Sequence, residues 1–232
     1  MISKAELEAM GCVLWLPLYN DVKDYSDKNH TTTLDGAIPK RTSDGLGSYG
    51  FDGVNDTIIL TKDDDFYLGN GDWGISVWIN ITSYKDFNNQ YGNAIIGSGV
   101  ETNTFGYVLY ITSTYSGSGT VPHKLTGVVY STRYSPTYQF FGGTTTVSLN
   151  TWHHVVATRR SGTTYLYLNT VEECSSTLYE DNNTSDNVTI GQGYPNVAVN
   201  YYFNGNMSNF MMFNKALSEE QINYIYEKTY IR

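Results

Sequence analysis

Short segments with a strand-like pattern recur along the chain and constrain its fold more than any other feature. The clearest, WGISVWINIT (73–82), alternates, so that aliphatic residues such as Ile75 and Val77 face one way while Trp78 and Asn80 face the other. Turn-forming Gly, Asn and Ser residues separate this segment from similar ones. The pattern predicts further strands at residues 13–18, 48–53, 56–60, 94–98, 106–112, 124–131, 143–149, 152–159, 163–170, 187–191 and 203–213. This spacing is typical of an antiparallel β-sandwich.

Two capped helical segments flank the strands. Ser3 and Glu6 form a capping box and predict a short helical turn within residues 1–11. Ser218 and Gln221 form a second capping box and predict a helix over 218–228. No repeat or linker interrupts the pattern, so we predict a single domain spanning residues 1–232.

The composition and net charge limit the classes of partner that this chain can bind. Asp and Glu exceed Lys and Arg by 23 to 14, which gives a net charge of −9 and argues against nucleic acid or an anionic membrane as a partner. No apolar run reaches transmembrane length, so membrane insertion is not expected. The 21 Tyr residues and abundant Asn, Ser and Thr suit neutral polar ligands such as sugars, or partner proteins. The alternative is that Tyr is simply a good strand residue.

The N-terminal segment and the cysteines bear on location. Charged residues stand in 1–12 where a signal peptide needs an apolar stretch, so we expect no signal peptide and a location in a virion or in the cytoplasm. Cys12 and Cys174 match no metal spacing. We expect them to be reduced, mostly buried thiols, with a disulfide as the alternative.

Several motifs occur in a characteristic order. They are Asp24-Tyr25-Ser26 after the first strand, the hairpin Phe51-Asp52-Gly53, the strand with Trp152, His154 and Ala157, and the segment with Ala216, Leu217, Ser218 and Ile222. In this order, and over about residues 12–227, the chain resembles the concanavalin A-like, laminin G-like jellyroll modules. The resemblance implies an all-β, two-sheet antiparallel jellyroll sandwich with a short C-terminal helix. It also implies that the last strand lies beside the first and that the helix covers the apolar end of the sandwich.

The same resemblance implies a structural calcium ion. Many such modules hold calcium through acidic groups and carbonyls, and Asp24, Asp27 and Asn29 place oxygen ligands close together. The alternative is that these side chains bond their own backbone in a turn.

Catalytic motifs are missing from the sequence. Glucanases on this fold carry two Glu around an Asp on one strand, and this chain has no such array. Glu172 and Glu173 are adjacent and would point to opposite faces of a strand. His153 and His154 diverge for the same reason, so we predict a structural role for both. The protein is therefore predicted not to be an enzyme.

Aromatic residues in loops are the candidates for ligand binding, because sugar-binding sites stack aromatic rings on pyranose faces. The predicted glycan-binding residues form two loop groups: Arg133, Tyr134 and Tyr138 in the first, and Tyr194, Asn196 and Tyr201 in the second. Tyr84, Phe87 and Tyr91 form a third group. The alternative for each ring is that it packs against its own loop.

We therefore predict a non-catalytic binding module for carbohydrate or a cell-surface glycan. The alternative is a structural or assembly protein of a bacteriophage virion or tail that acts through protein contacts, as a homo-oligomer or virion component. This alternative rests on a resemblance to laminin G-like modules carried on phage virion proteins. A glycan-active enzyme is the third hypothesis.

Overall fold

The computed structural model describes residues 2–42, 45–85, 92–98, 106–113, 122–130, 138–177, 187–193 and 201–230. Within them, fifteen strands form two antiparallel sheets. The larger sheet contains β1 (Cys12–Leu16), β3 (Ile38–Arg41), β4 (Gly47–Asp52), β6 (Trp73–Ile81), β11 (Trp152–Arg160), β12 (Thr163–Leu168), β13 (Val171–Ser176) and β15 (Asn204–Phe213). The smaller sheet contains β2 (Thr32–Asp35), β5 (Thr57–Leu60), β7 (Asn93–Ser98), β8 (Gly106–Ile111), β9 (Lys124–Tyr130), β10 (Tyr138–Thr146) and β14 (Val188–Ile190). The helices are α1 (Lys4–Ala9), α2 (Glu219–Thr229) and a 3-10 turn at Asp64–Phe66.

The strand order confirms the predicted jellyroll sandwich. The larger sheet runs β13-β12-β11-β6-β15-β4-β3, and β1 pairs with β15, so that the last strand lies beside the first. The smaller sheet runs β10-β9-β8-β7-β14-β5-β2.

The two sheets enclose an apolar core. Along β6 the inward-facing residues Ile75, Val77 and Ile79 are buried and belong to the same cluster as Ile96 and Ile111 of the smaller sheet. Each buried side chain of this size stabilises the fold by about 1.5–3 kcal/mol. The alternation read from the sequence therefore sets which face of β6 is internal.

The outer face of the larger sheet is partly covered by α2. Both predicted capping boxes are present, and α2 buries Ile222 and Ile225 against Val156 and Met211 of the sheet. The helix thus lies on the sheet face, and the expectation that it covers the end of the sandwich was wrong. The reason is that this outer face is itself apolar, so the helix buries more there.

Three strands and one boundary were not predicted. β2, β3 and β13 are mostly exposed edge strands whose residues lack a clear alternation. β10 begins at Tyr138, whereas the strand predicted from the sequence begins at residue 143. Pairing of this segment with β9 supplies backbone hydrogen bonds that the local sequence does not reveal.

Both cysteines are free. Cys12 is buried in β1 and Cys174 is half-buried in β13, and burial raises the pKa of the Cys12 thiol to about 12 and that of Cys174 to about 11. None of the described helices is both long and apolar enough to cross a membrane.

Candidate functional site

A polar groove lies on the outer face of the larger sheet, where α2 ends. Its floor is a row of residues that face one another across adjacent strands: Trp152 opposes Asn80, Asn80 opposes Asn206, and Asn206 opposes Gly50. Because directly paired residues point to the same side of a sheet, these side chains share one surface. Ser48 lies two residues before Gly50 on β4, so it faces the same side and extends the floor. The row is therefore built from four strands.

The rim of the groove adds cations, hydroxyls and a second ring. The groove has a volume of about 660 Å³. Besides the floor, it is lined by Lys40, Arg41, Thr42, Asn150, Thr151 and Tyr230. Rings, amides and hydroxyls on one concave surface are the groups that bind a sugar, since rings stack on its apolar face and amides bond its hydroxyls.

The end of α2 shapes one wall. The indole nitrogen of Trp78 donates to the Thr229 hydroxyl at 2.8 Å, and Tyr230 packs edge-on against the same indole at 5.6 Å. Trp78 and Asn80 are two residues apart on β6 and so lie on the same face. The helix therefore covers Trp78 and leaves Asn80 open.

Gly50 gives the groove its depth at the far end. A Cβ atom at this position would lie 3.0 Å from Cε of Lys40 and 3.3 Å from Oδ1 of Asn206. The Lys40 stem therefore lies across the glycine, on the same side as the amide of Asn206.

Arg41 is held by neutral groups. Its guanidinium lies 5.2 Å from the centre of the Tyr19 ring, and it donates to the Tyr19 hydroxyl, to the Gly45 carbonyl and to Oδ1 of Asn20. These contacts fix the position of the guanidinium, and its partners among the described residues are uncharged.

A second, more apolar pocket of about 540 Å³ adjoins the groove on the other side of Tyr230. Its rings are Trp15, Tyr19 and Tyr25, and the last two are among the exposed aromatic residues of the described surface. Tyr19 links the two sites because it also supports Arg41.

Most of the predicted glycan-binding loop residues lie outside the described part of the chain. This holds for Arg133, Tyr134, Tyr194 and Asn196, as it does for Phe87 and Tyr91 of the third group. Tyr138 is the first residue of β10, and only its backbone is described.

Two other predicted rings are engaged inside the fold. Tyr201 is 3% exposed and belongs to a cluster with Val108 and Tyr110 on the smaller sheet, so its ring is not available for stacking on a sugar. Tyr201 is buried rather than exposed because it packs onto the smaller sheet. Tyr84 is half-buried, and its hydroxyl donates to the Val147 carbonyl at 2.7 Å.

The predicted calcium ligands have different partners. Asp24 is buried, and its carboxylate accepts hydrogen bonds from the backbone N–H groups of Trp15, Ser26 and His30 and from the Ser26 hydroxyl. Asp27 instead pairs with Lys4 at 2.5 Å. Asn29 is exposed and has positive φ. Asp24 thus organises the turn through backbone hydrogen bonds, and the calcium ion stays a prediction.

These donors also set the ionisation of Asp24. Burial alone would raise the pKa of Asp24, but the hydrogen bonds outweigh burial and the pKa lies below its usual value. Elsewhere in the described residues, ligand atoms of His30, Asp63 and Asp65 lie within 4.8 Å of one another. Lys28 already pairs with Asp65 at 2.8 Å.

The adjacent histidines are both buried and hydrogen-bonded. Nε2 of His154 lies 2.8 Å from the Ser76 hydroxyl, and both residues are buried. Nε2 of His153 lies 3.0 Å from the Ser148 hydroxyl. Burial lowers the pKa of both, that of His154 to about 3. The Ser76–His154 pair has no open face for a substrate.

The groove was not predicted from the sequence. Alternation along β6 did place Asn80 on the face of Trp78, and that was the one local signal. Trp152 was noted only as part of a strand motif, and Asn206 and Gly50 carried no signal.

Comparison with known proteins agrees with this architecture. A laminin G-like family model, described as the concanavalin A-like lectin/glucanases superfamily, matches residues 52–223. No curated protein sequence matches the chain.

Several solved structures share the fold. Domain 4 of AbnA, a GH43 extracellular arabinanase from Geobacillus stearothermophilus solved with arabinotriose, has a TM-score of 0.67 at 14% identity, over 93% of this chain and 98% of that domain. The botulinum neurotoxin serotype D binding domain has a TM-score of 0.67 at 19% identity, over 94% of this chain and 52% of that one.

A botulinum neurotoxin type C structure, described as showing cell entry that depends on two ganglioside molecules, has a TM-score of 0.68 at 19% identity, over 98% of this chain and 53% of that one. The chain thus spans about half the length of these two toxin chains. At these identities the likeness concerns the fold. Together with the family match over most of the sequence, it shows that the chain belongs to the laminin G-like family of the concanavalin A-like lectin/glucanase superfamily.

Proposed function

We propose that the protein is a non-catalytic glycan-binding module whose site is the groove on the outer face of the larger sheet. The observation that carries the proposal is the row from Trp152 through Asn80 and Asn206 to Gly50, with Tyr230 on the wall. A pyranose ring can stack on Trp152 while the amides bond its hydroxyl groups.

Two further facts support this proposal. The family includes lectins, and AbnA domain 4 was solved with arabinotriose. The groove is also open to solvent rather than enclosed, so it can accommodate a chain of sugars. Among the described residues that line the groove there is no carboxylic acid, so the acid and nucleophile of a retaining glycosidase are not among them.

A glycan array followed by calorimetry tests the proposal. We expect Trp152→Ala and Tyr230→Ala each to weaken binding at least about tenfold, which corresponds to about 1.4 kcal/mol. Tyr67→Ala is the matched control for Tyr230→Ala, because the two tyrosines are 43% and 46% exposed and only Tyr230 lines the groove. Equal affinity in Trp152→Ala and the wild type would refute the groove as the site.

The virion or tail role stays a prediction. If no glycan is bound, a protein contact becomes the next hypothesis to test, by asking whether the purified chain forms homo-oligomers in solution.

A further inference from the structure

We infer that His30, Asp63 and Asp65 form a binding site for a divalent transition-metal ion such as Zn²⁺. Ligand atoms of these three residues lie within 4.8 Å of one another. His30 precedes the edge strand β2, and the two acidic residues follow β5, with which β2 pairs. A metal ion at this place would therefore clamp β2 to β5. None of the three residues lines the groove, so the inference is independent of glycan binding.

The imidazole of His30 is buried and held from one side. Its side chain is 6% exposed, its ring centre lies 4.6 Å from that of Phe66, and Nδ1 lies 2.9 Å from Oδ2 of Asp24. Because an ionised carboxylate can only accept a hydrogen bond, Nδ1 carries the proton in this contact. A metal-binding histidine typically donates its other ring N–H to a carboxylate in this way. Nε2 of the neutral ring therefore presents its lone pair to the opposite side.

Two carboxylates face that lone pair. Nε2 of His30 lies 3.3 Å from Oδ2 of Asp65 and 3.7 Å from Oδ1 of Asp63, and it makes no hydrogen bond within the described residues. A tetrahedral zinc ion lies about 2.0–2.2 Å from each ligand, which places the ligand atoms about 3.3–3.6 Å apart. The three atoms are thus spaced as ligands of one ion. The alternative is a proton on Nε2, which would pair the charged ring with both carboxylates.

The 3-10 turn fixes the two carboxylates on the same side of the ring. Oδ1 of Asp63 accepts from the backbone N–H of Asp65 at 3.0 Å and caps the turn at Asp64–Phe66. The turn ends on Phe66, whose buried ring packs against His30. The ligands are therefore positioned by a backbone hydrogen bond on one side and by aromatic packing on the other.

The donor set selects the class of metal. Calcium takes six to eight oxygen ligands, whereas this cluster offers one imidazole nitrogen and two carboxylates. Imidazole suits zinc and neighbouring transition metals, and two carboxylates balance the charge of a divalent ion. Three protein ligands leave one position of a tetrahedral ion for water. The site thus differs from the predicted calcium site, although Asp24 supports His30 from behind.

Lys28 competes with a metal ion for Asp65. Its Nζ lies 2.8 Å from Oδ2 of Asp65, the same oxygen that lies closest to Nε2 of His30. The Lys28 side chain is 48% exposed, so its ammonium group can turn into solvent when an ion binds. An exposed ion pair of this kind contributes little to stability. Removing Lys28 should therefore tighten metal binding.

Zinc titration of the metal-free protein tests the inference. The purified chain is treated with a chelator, dialysed, and titrated with Zn²⁺ by calorimetry at neutral pH. The variants are Asp63→Asn, Asp65→Asn and Lys28→Gln. Asp64→Asn is the matched control for the first two, because it removes the same charge from the neighbouring position, which lies outside the cluster. Lys4→Gln is the control for Lys28→Gln, because Lys4 pairs with Asp27. Thermal unfolding in EDTA checks that each variant folds.

We expect one zinc ion to bind per chain and to raise the melting temperature. Asp63→Asn and Asp65→Asn should each weaken zinc binding at least about tenfold, whereas Asp64→Asn should retain it. Lys28→Gln should bind zinc more tightly than the wild type, and Lys4→Gln should not. The zinc-free protein should melt at the same temperature in calcium and in EDTA.

Three results would overturn the inference. The first is no zinc binding, which would leave a proton on Nε2 of His30 as the explanation of the cluster. The second is an equal affinity for zinc in Asp65→Asn and Asp64→Asn. The third is a weaker affinity in Lys28→Gln than in the wild type. Stabilisation by calcium that equals stabilisation by zinc would overturn the choice of metal.

Discussion

The indole nitrogen of Trp78 lies 2.8 Å from the hydroxyl oxygen of Thr229, and both residues are buried. This hydrogen bond joins a central strand of the larger sheet to the last turn of α2. It fixes where the helix ends, and Tyr230, the next residue, lines the groove.

Thr229→Val should therefore destabilise the protein. The substitution keeps the shape of the side chain but leaves the indole N–H without an acceptor, and we expect the free energy of unfolding to fall by about 1–3 kcal/mol. Thr229→Ser retains the hydroxyl and serves as the control, with a loss of less than about 1 kcal/mol. Chemical denaturation measures both. Equal losses in the two variants would show that the hydrogen bond contributes little.

The buried imidazole of His154 should make the fold sensitive to acid. Its pKa is lowered by burial to about 3, whereas an exposed histidine has a pKa of about 6.5. Above pH 6.5 both states are neutral and His154 makes no difference. Between pH 6.5 and 3 the unfolded state binds an additional proton, so the free energy of unfolding falls with falling pH by up to about 1.4 kcal/mol per unit.

His154→Gln should remove the contribution of His154 to the pH dependence of the free energy of unfolding. The measurement is denaturation at a series of pH values between 7 and 4. His153→Gln is the comparison: it removes the contribution of His153, whose pKa burial also lowers, and leaves that of His154 in place. A slope that is the same in wild type and His154→Gln would contradict the buried, neutral state of His154.

Of the two acidic residues in the turn that follows β1, Asp24 should contribute more to the stability of the fold. We expect Asp24→Asn to lower the free energy of unfolding by about 3 kcal/mol, because charge-assisted hydrogen bonds are lost from several donors. Asp27→Asn is the control, since Asp27 forms an exposed pair with Lys4 and should leave the free energy of unfolding almost unchanged. The lowered pKa of Asp24 adds stability above about pH 3.8, which is lost as the pH falls through the folded value.

A structural calcium ion at Asp24, Asp27 and Asn29 remains a prediction that the hydrogen bonding of Asp24 disfavours. We expect the melting temperature to be the same in excess calcium and in EDTA. A drop in EDTA that is abolished by Asp27→Asn would establish the ion and would mean that the turn rearranges to bind it.

The β12–β13 hairpin offers a stabilising substitution. Asn169 and Thr170 both have positive φ, at 50° and 71°, and a β-branched residue is strained in that region. Asn-Gly is the preferred sequence for such a turn, so Thr170→Gly should raise the free energy of unfolding by about 1 kcal/mol. Asn169→Gly should instead lower it, because Oδ1 of Asn169 accepts from the backbone N–H of His154. A loss of stability in Thr170→Gly would show that the turn is not strained.

Local patterns in the sequence determined much of the fold. Alternation along β6 identified the internal face, and the serine caps at Ser3 and Ser218 located the helices, because each signal depends on residues that are close together in the chain. The order of the motifs also identified the jellyroll family. The edge strands β2, β3 and β13 were missed because exposed strands have little apolar alternation to detect.

Only the tertiary structure decided the candidate site. Gly50, Asn80, Trp152 and Asn206 come from four separate segments and meet because of strand order and register, which depend on long-range pairing. The exposure of Tyr201 could not be read from its segment either, because burial depends on what packs over a residue. The sequence by itself therefore determined most of the strands, the helix caps and the family, whereas the groove arose from the register between strands and from the residue at which α2 ends.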